Sequence, residues 1–427
     1  MRAPSRTESC GVSGRHPGTI GAVSLVVQKY GGTSVADPDR IKAVADHIVA
    51  TRRDGKDVVV VVSAMGKTTD ELQQLANEVS ASPAAREMDM LLTSGERISI
   101  ALLCMAIIDR GEHAVSFTGS QAGIVTDTTH GKAKIVDVRA DRLRDAVNAG
   151  GVAVVAGFQG VSTALDVTTL GRGGSDTTAV ALAAALGAEA CEIYTDVAGV
   201  YTADPRIVPG ARRLARLSYE EMLDLAATGS RVLALRSVEF ARNHGVRMHV
   251  RSSFTWEPGT WVVEEETAME QAIISGVTND TSEAKITLGR VPDRPGVAAK
   301  VFRALADEAI NVDMIVQNVS TEGHTDISFT LPKEDLSRAR KVMEQLLDDV
   351  EATGFTSDEH IGRVSLVGAG MKTHPGVAAT MFEVLARESV NIEMISTSSI
   401  RISCVVQEAD VEKAVRALHD AFELEKA

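Results

Sequence analysis

The stretch "TTLGRGGSDTTAVALAAALGA" (residues 168–188) decides the fold, because a glycine-rich turn leads directly into an apolar helix. We expect Ser175 to cap the start of this helix and Gly187 to end it. The glycines expose backbone N–H groups at a helix N-terminus, which carries partial positive charge. Arg172 can donate two parallel hydrogen bonds to a carboxylate, and Asp176 can bind an ammonium group. A capped helix after a flexible loop is the simpler alternative, but it leaves Arg172 unexplained, so the stretch favours a site for an α-amino acid.

Segments rich in Val, Ile and Ala alternate with helical patterns on both sides of this stretch. They are "SLVVQ" (24–28), "DVVVVV" (57–62), "HAVSF" (113–117), "GVAVVAGF" (151–158) and "CEIYT" (191–195). Between the first two, Asp37 is expected to cap a helix whose first residue is Pro38. Apolar strands separated by helices predict an α/β domain with a doubly wound, mostly parallel sheet. Ligands of such sheets bind at the carboxyl ends of the strands.

Polar and glycine-rich segments follow the predicted strands. In "KYGGTS" (29–34), Lys29 and a Gly-Gly turn suit a phosphate group. This is no Walker A loop: "MGKTT" has Val61 where that motif needs a glycine five residues before Gly66. No GxGxxG follows the first strand either, which argues against a nicotinamide-dependent dehydrogenase. Glu96 in "LLTSGERIS" (91–99) is a weak candidate alone, and "YTDVAGVYTADPRIV" (194–208) is a candidate nucleotide loop.

The composition excludes several other classes of protein. The chain has 427 residues, 44% hydrophobic and 24% charged, and a net charge of −14. The acidic balance argues against nucleic acid or an anionic membrane surface as the main partner. The four cysteines form no CxxC pair and the histidines are scattered, so we expect no metal site in the protein and a cytoplasmic location. We found no apolar run of about 18 residues and expect no membrane span.

The C-terminal third contains an internal repeat. "PGVAAKVFRALADEAINVDMI" begins at Pro295 and "PGVAATMFEVLARESVNIEMI" begins at Pro375, with 12 identities in 21 positions. In each copy a strand precedes a Pro-Gly loop that opens a helix, and a second strand follows. We therefore expect residues 1–22 to be a disordered or wrongly assigned extension, 23–265 the first domain, and 266–427 a region with two repeat units. The units are expected at about 284–350 and 362–427, with possible strand exchange involving 268–280.

The ordered motifs resemble those of the aspartokinase family, in its actinobacterial α2β2-like type. They are "KYGGTS", "VVVSAMG", "LLTSGERIS", "SFTGSQAG", "TTLGRGGSDTTA", "YTDVAGVYTADPR" and "EEMLDLAATGSRVLALRSVEFA". The resemblance covers the chain from about Leu25 to its C-terminus and implies an amino-acid kinase fold followed by two ferredoxin-like βαββαβ ACT domains. It implies ATP- and Mg²⁺-dependent phosphorylation of the β-carboxylate of L-aspartate. This reaction is the first step toward lysine, threonine, methionine and diaminopimelate.

The resemblance also implies roles for individual residues. Lys29 would stabilise the transferred phosphoryl group, Arg172 would bind the substrate α-carboxylate, and Glu96 and Asp176 would hold its ammonium group, with Ser175 in contact. The residues implied for the ATP pocket are Lys29, Tyr30, Gly31, Gly32, Ser63, Thr195, Asp196, Val200, Tyr201, Thr202, Ala203, Asp204, Pro205 and Arg231.

An allosteric site in the ACT region is implied in the same way, with lysine and threonine as effectors and a homo-oligomer or an α2β2 assembly as the active form. Its first loop is Asp293, Arg294, Pro295, Gly296, Val297 and Ala298, with Asp313 and Gln317 nearby. The counterparts in the second copy are His374, Pro375, Gly376, Val377, Asn391 and Ile392.

The sequence departs from the family pattern at several places. Arg231 stands where the family often has lysine, and Ser399 stands where close relatives tend to have glutamate. Val23 occupies the position of the usual first Met, so translation is expected to start there. Met269 is either an ordinary methionine or the internal start of a small subunit.

Two rival functions use the same motifs. A kinase for another acid, such as glutamate, lacks support from the full motif series. An amino-acid sensor with an inactive kinase domain gives no physical reason to keep Lys29, Glu96, Arg172 and Asp176 together.

Overall fold

The computed structural model describes residues 24–264, 274–318, 323–372 and 374–426. The extension 1–22, Val23 and Met269 lie outside these ranges, so the expectations on the two start sites stay predictions.

Residues 24–264 form a sheet-centred domain. Its strands are β1 (Leu25–Tyr30), β2 (Asp57–Val62), β3 (Ala114–Phe117), β4 (Ile124–Thr126), β5 (Ile135–Val138), β6 (Val152–Ala156), β7 (Gln159–Ser162), β8 (Val167–Thr169), β9 (Ala190–Thr195), β10 (Arg216–Ser218), β11 (Met248–Ser252) and β12 (Thr260–Val263). The main sheet has the order β10-β12-β11-β9-β1-β2-β6-β3, and only its β11–β12 pair is antiparallel within the described chain. A small sheet with the order β5-β4-β7-β8 lies beside it. The expected mostly parallel α/β sheet is confirmed.

Helices cover both faces of the main sheet. They are α1 (Pro38–Arg53), α2 (Thr68–Val79), α3 (Ala85–Leu92), α4 (Ser94–Ile108), α5 (Asp141–Asn148), α6 (Gly174–Leu186), α7 (Tyr219–Ala227) and α8 (Leu235–His244). The side chain of Asp37 accepts a hydrogen bond from the Arg40 N–H at 2.9 Å and caps α1, with Pro38 as its first residue, as expected. The five valines of β2 are fully buried and pack alternately into the cores on the two faces. Burial on both faces explains why this strand shows no polar alternation.

The segment Ala85–Ile108 has the length and hydropathy (1.7) of a membrane-spanning helix, by those two measures alone. In the structure it is α3 and α4, which meet at Thr93, and α4 packs against α1 and β3. Core helices of water-soluble proteins meet the same two criteria. The segment is therefore weak evidence for a span, and the expectation of no membrane partner stays a prediction.

The C-terminal region holds two four-stranded antiparallel sheets, each with a pair of helices. Its elements are β13 (Gly276–Asp280), β14 (Glu283–Pro292), α9 (Val297–Asp307), β15 (Ile315–Gln317), β16 (His324–Pro332), α10 (Leu336–Leu346), β17 (Gly354–Asp358), β18 (Ile361–Val367), α11 (Val377–Arg387), β19 (Met394–Thr397), β20 (Arg401–Gln407) and α12 (Val411–Ala421). The first sheet has the order β15-β16-β14-β17, so this unit is a continuous βαββαβ fold.

The second unit takes one strand from outside its own repeat. Its sheet has the order β13-β18-β20-β19, and β13 pairs with β18 in antiparallel register from Gly276↔Val367 to Asp280↔Arg363. Along the chain, the first unit thereby lies between β13 and β18, which pair with each other in the sheet of the second unit. Side chains of the segment before β10 in the first domain, among them Ala203 and Val208, pack into the core of this second unit.

Candidate active site

The carboxyl ends of four parallel strands, β9, β1, β2 and β6, lie side by side at one edge of the main sheet. Lys29 is the next-to-last residue of β1, and its Nζ lies 2.6 Å from Oδ1 of Asp176 in the first turn of α6. Only 9% of Lys29 and 8% of Asp176 is exposed. The structure thus places a nearly buried, opposite-charge pair where α/β proteins bind ligands.

Glu96 is the most deeply buried acid among the predicted site residues. It lies in the first turn of α4, it is 2% exposed, and its Oε1 accepts a hydrogen bond from the Ala64 N–H at 3.2 Å. Its Oε2 has no hydrogen-bond partner among the described residues. Burial raises the pKa of this carboxyl to about 7. An acceptor atom without a partner in so buried a carboxylate is open to a positively charged donor.

The start of α6 differs from the sequence expectation. The N-cap is Gly173, with a left-handed φ of 72°, and not Ser175, which lies inside the first turn. A Cβ at Gly173 would lie 2.2 Å from Cβ of Ala234, so the backbone passes too close to α8 for another residue. The hydroxyl of Ser63, after β2, instead donates to that of Ser175 at 3.0 Å. This bond fixes Ser175 in the site and leaves the amides of the first turn uncapped by a side chain.

Arg172 precedes this N-cap and is exposed. Its guanidinium has no ion pair or hydrogen bond to any residue in the described part of the chain. It lies four residues before Asp176, so a cation and an anion flank the same helix start.

The two glycines after β1 allow close backbone contacts. A Cβ at Gly32 would lie 2.9 Å from the carbonyl oxygen of Ala64, and the Gly66 N–H donates to the Gly32 carbonyl at 3.0 Å. A Cβ at Gly31 would lie 3.4 Å from Nζ of Lys29. Tyr30 is fully buried and stacks on Tyr194 with ring centroids 4.8 Å apart, so only its backbone faces the loop.

The predicted nucleotide loop is only partly available to a ligand. Val200 is buried in the core of the first domain, Ala203 is buried against the second repeat unit, and the Thr202 hydroxyl bonds Nε2 of His419 at 3.0 Å. These three side chains are buried, so a nucleotide at this loop would meet only their backbone, and their predicted part in ATP binding stays a prediction. The other predicted residues of the loop, and Arg231, are exposed or half-buried. The Thr195 hydroxyl donates to Asp196, and Asp204 accepts from Arg206. Tyr201 forms a backbone bridge with Arg213, and Pro205 and Arg231 are exposed.

The Pro-Gly loops of the two repeats have the same backbone. Gly296 and Gly376 have φ values of 98° and 112° and precede α9 and α11. The exposed members of the predicted allosteric set are Asp293, Arg294, Pro295, Gln317, His374, Pro375 and Asn391, whereas Ala298 and Ile392 are half-buried. Val297 and Val377 are buried in the cores, so a ligand there would meet their backbone only. Ser399 is exposed in the turn between β19 and β20.

Asp313 is already paired in this structure. Its carboxylate contacts the guanidinium of Arg363 from the second unit, which is 2% exposed. Arg363 also contacts Glu283 at 3.0 Å and donates to the carbonyl of Ala227, at the end of α7, at 2.9 Å. Sequence reasoning missed Arg363; its place amid the apolar β18 was the available signal.

The comparisons with known proteins come from sequence and from structure. Residues 24–252 match the amino acid kinase family, and residues 288–347 and 364–422 match an ACT domain model. The aspartokinase of Corynebacterium efficiens is 58% identical over 94% of this chain and 97% of its own length. The chain belongs to the aspartokinase family. Aspartokinase III of E. coli, solved with aspartate and ADP, has a TM-score of 0.79 and 27% identity and covers 93% of this chain and 99% of its own.

A second structure of aspartokinase III, solved with lysine and aspartate, covers the same shares of both chains at 27% identity with a TM-score of 0.72. The comparisons confirm the aspartokinase resemblance, the fold class and the aspartate kinase activity expected from the sequence. They also support the use of a nucleotide. The roles of individual site residues stay predictions, as do Mg²⁺, threonine and the internal start at Met269.

Proposed function

We propose that the aspartate kinase reaction takes place at the Lys29–Asp176 pair, with the phosphoryl group passing from ATP to the β-carboxylate of L-aspartate. The observation that carries this proposal is the 2.6 Å contact at the carboxyl end of β1, beside the start of α6. Arg172 binds the α-carboxylate in a two-bond fork, since its guanidinium has no competing partner among the described residues.

The α-ammonium group of aspartate is held between Asp176 and the unpartnered Oε2 of Glu96. When Asp176 takes this ammonium group, it releases Lys29 toward the phosphates. The freed ammonium of Lys29 stabilises negative charge on the transferring group. The β-carboxylate of aspartate is ionised near pH 7 and is itself the nucleophile, so no general base is required.

Mg²⁺ is proposed to enter with ATP. The described residues contain no group of three or more His, Cys, Asp or Glu side chains placed to hold a metal ion. This fits an ion held chiefly by phosphate oxygens, with Asp196 in the nucleotide loop as an exposed candidate contact. The ion would supply charge neutralisation on the β- and γ-phosphates.

A hydroxamate assay tests the substrate assignment. With ATP, Mg²⁺ and hydroxylamine, we expect aspartyl hydroxamate to form and glutamate to give less than about a hundredth of that rate, because the extra methylene moves the acceptor carboxylate away from the phosphate. Equal rates with both acids would contradict the aspartate assignment. If neither acid gives a hydroxamate, the alternative of an amino-acid sensor with an inactive kinase domain is favoured.

We also propose feedback control by lysine and threonine at the two Pro-Gly loops, in an oligomer that is either homomeric or α2β2 with a small subunit started at Met269. The loops at Gly296 and Gly376 share one backbone form, and lysine is bound in one solved aspartokinase III structure. Assays with lysine, threonine and both test this. Stronger inhibition by lysine and threonine together than by either alone would support feedback control. Activity that neither amino acid changes would contradict it and would point to Ser399 as a cause.

A further inference from the structure

The loop 170–173, which carries Arg172, is held by two charged side chains that lie outside the proposed site. One is Asp89 on α3 and the other is Arg236 on α8. We propose that Asp89 is a positioning residue for Arg172, with Arg236 holding the opposite side of the same loop. The inference rests on the proposed role of Arg172 in binding aspartate.

Asp89 is 1% exposed, and its carboxylate contacts three residues, Thr169 at the end of β8 and His130 and Gly131 in the loop between β4 and β5. The Thr169 hydroxyl donates to it at 2.5 Å, and the Gly131 N–H lies 3.1 and 3.2 Å from its two oxygens. Nδ1 of His130 lies 2.7 Å from Oδ2. A fully buried carboxylate with three hydrogen-bond partners is a rigid attachment point. One of these partners, Thr169, is the last residue before the loop that carries Arg172.

The constraint passes from Gly131 to the neighbour of Arg172 by direct backbone packing. Gly171 has a φ of 79°, and a Cβ there would lie 3.1 Å from the Gly131 carbonyl oxygen. The Gly171 carbonyl accepts from the Gly174 N–H at 2.9 Å, in the first turn of α6. A shift of Gly131 would therefore displace Gly171 and with it the Cα of Arg172.

Arg236 holds the loop from the other side. Its guanidinium donates to the carbonyl of Leu170 at 3.0 Å and to that of Ala133 at 2.8 Å. The Ala133 N–H in turn donates to the Thr169 carbonyl at 2.9 Å. Arg236 thus holds Leu170, the first residue of the loop, and Asp89 holds Thr169, the residue before it.

Asp89 also connects the loop to the helix that carries Glu96. The helix α3 runs into α4 at Thr93, whose carbonyl accepts from Nε2 of Gln159 in the small sheet at 3.2 Å. Asp89 thereby sets the position of Arg172 relative to Glu96, the two groups proposed to bind opposite charges of one aspartate molecule. Binding groups on a small substrate tolerate little misplacement, since about 1 Å can cost two orders of magnitude.

The test compares Asp89→Asn with Asp166→Asn. Asp166 pairs with Arg86 of the same helix α3 at 2.9 Å and joins it to the β7–β8 turn, but this pair is on the surface. We expect Asp89→Asn to raise the KM for aspartate about 10-fold and to leave the KM for ATP within about twofold. Asp166→Asn should change neither. A purely structural role of Asp89 would instead lower the active fraction and leave the KM for aspartate unchanged.

A double-mutant cycle with Arg172→Ala separates the two proposals. Arg172→Ala alone should raise the KM for aspartate, and adding Asp89→Asn should then have little further effect because the positioned group is gone. An unchanged KM in Arg172→Ala would overturn the proposed role of Arg172. A normal KM in Asp89→Asn, or full additivity with Arg172→Ala, would overturn the positioning role. If Asp89→Asn does not fold, Arg236→Lys takes its place in the same cycle and the same outcomes decide.

Discussion

Glu96 is a carboxylate kept in an environment that disfavours its charge. Burial raises its pKa to about 7, while the Ala64 N–H and the helix backbone lower it less. To hold the substrate ammonium group it must be ionised, so its environment links aspartate binding to pH near neutrality.

We predict that kcat/KM for aspartate falls as the pH drops below about 7, because protonation of Glu96 removes the charge that binds the ammonium group. The measurement is the pH profile of kcat/KM with saturating ATP. Glu96→Gln should be slow at every pH and should lose this acidic limb. Wild-type kcat/KM that stays flat from pH 8 to pH 6 would contradict the prediction.

The raised pKa of Glu96 also affects the stability of the protein, and here the protonated form is the favourable one, whereas substrate binding needs the ionised form. A carboxyl whose pKa is raised on folding favours the folded state while protonated, and this contribution is lost as the pH rises from about 4.5 through about 7. At pH 8, the free energy of unfolding of Glu96→Gln, measured with denaturant, should therefore exceed that of the wild type by up to roughly 3 kcal/mol. At pH 4.5 the two proteins should differ little. The exposed Glu87→Gln is the control and should show no such trend.

At the scale of elements, α6 depends on a glycine that the sequence did not mark as its cap. We predict that Gly173→Ala lowers both stability and activity, because the left-handed φ of 72° is unfavourable for alanine and the new Cβ would lie 2.2 Å from Ala234. Gly187→Ala at the other end of α6 is the matched control. Its φ is 67°, but a Cβ there has no atom within 4 Å, so it should lose about 1 kcal/mol and keep full activity. Equal activity losses in both variants would contradict the account.

Elements with a local cause were predictable from sequence, and contacts set by the tertiary fold were not. The cap of α1 by Asp37 and the valine strand β2 follow from neighbouring residues alone. The cap at Gly173 depends on how closely α8 approaches, and the position of β13 depends on pairing with β18, far along the chain. Asp89 was missed for the same reason, since its partners lie about 40 and 80 residues away.

At the scale of the whole molecule, Arg363 joins the kinase domain to both ACT units. Its guanidinium contacts the predicted effector residue Asp313, Glu283 of the first unit and the carbonyl of Ala227 at the end of α7. A few residues later, a Cβ at Gly229 would lie 2.0 Å from the carbonyl of Asn279 on β13. The chain then reaches Arg231, which is predicted to contact ATP. A ligand that draws Asp313 away from Arg363 would thus act on a junction four residues before Arg231 in the chain.

We predict that Arg363→Met keeps activity without effectors but loses most of the response to lysine and threonine, because the junction no longer senses Asp313. It should also lower the melting temperature, since Glu283 and Asp313 lose their buried partner. Inhibition curves and thermal unfolding measure the two effects. Arg338→Gln, which breaks a surface pair with Asp335 inside the first unit, is the control. Normal inhibition of Arg363→Met would contradict the coupling.

The most direct test of the central claim, that the Lys29–Asp176 pair lies at the centre of phosphoryl transfer, is the kcat of Lys29→Met measured beside that of Lys29→Met/Asp176→Asn. Removing the ammonium group that stabilises the transferring phosphate should lower kcat by about 10²- to 10³-fold in both variants, with circular dichroism like that of the wild type. Because the double variant has no unpaired buried carboxylate, a loss in both variants cannot be explained by an uncompensated charge on Asp176. A well-folded Lys29→Met enzyme with a kcat within about threefold of the wild type would contradict the account.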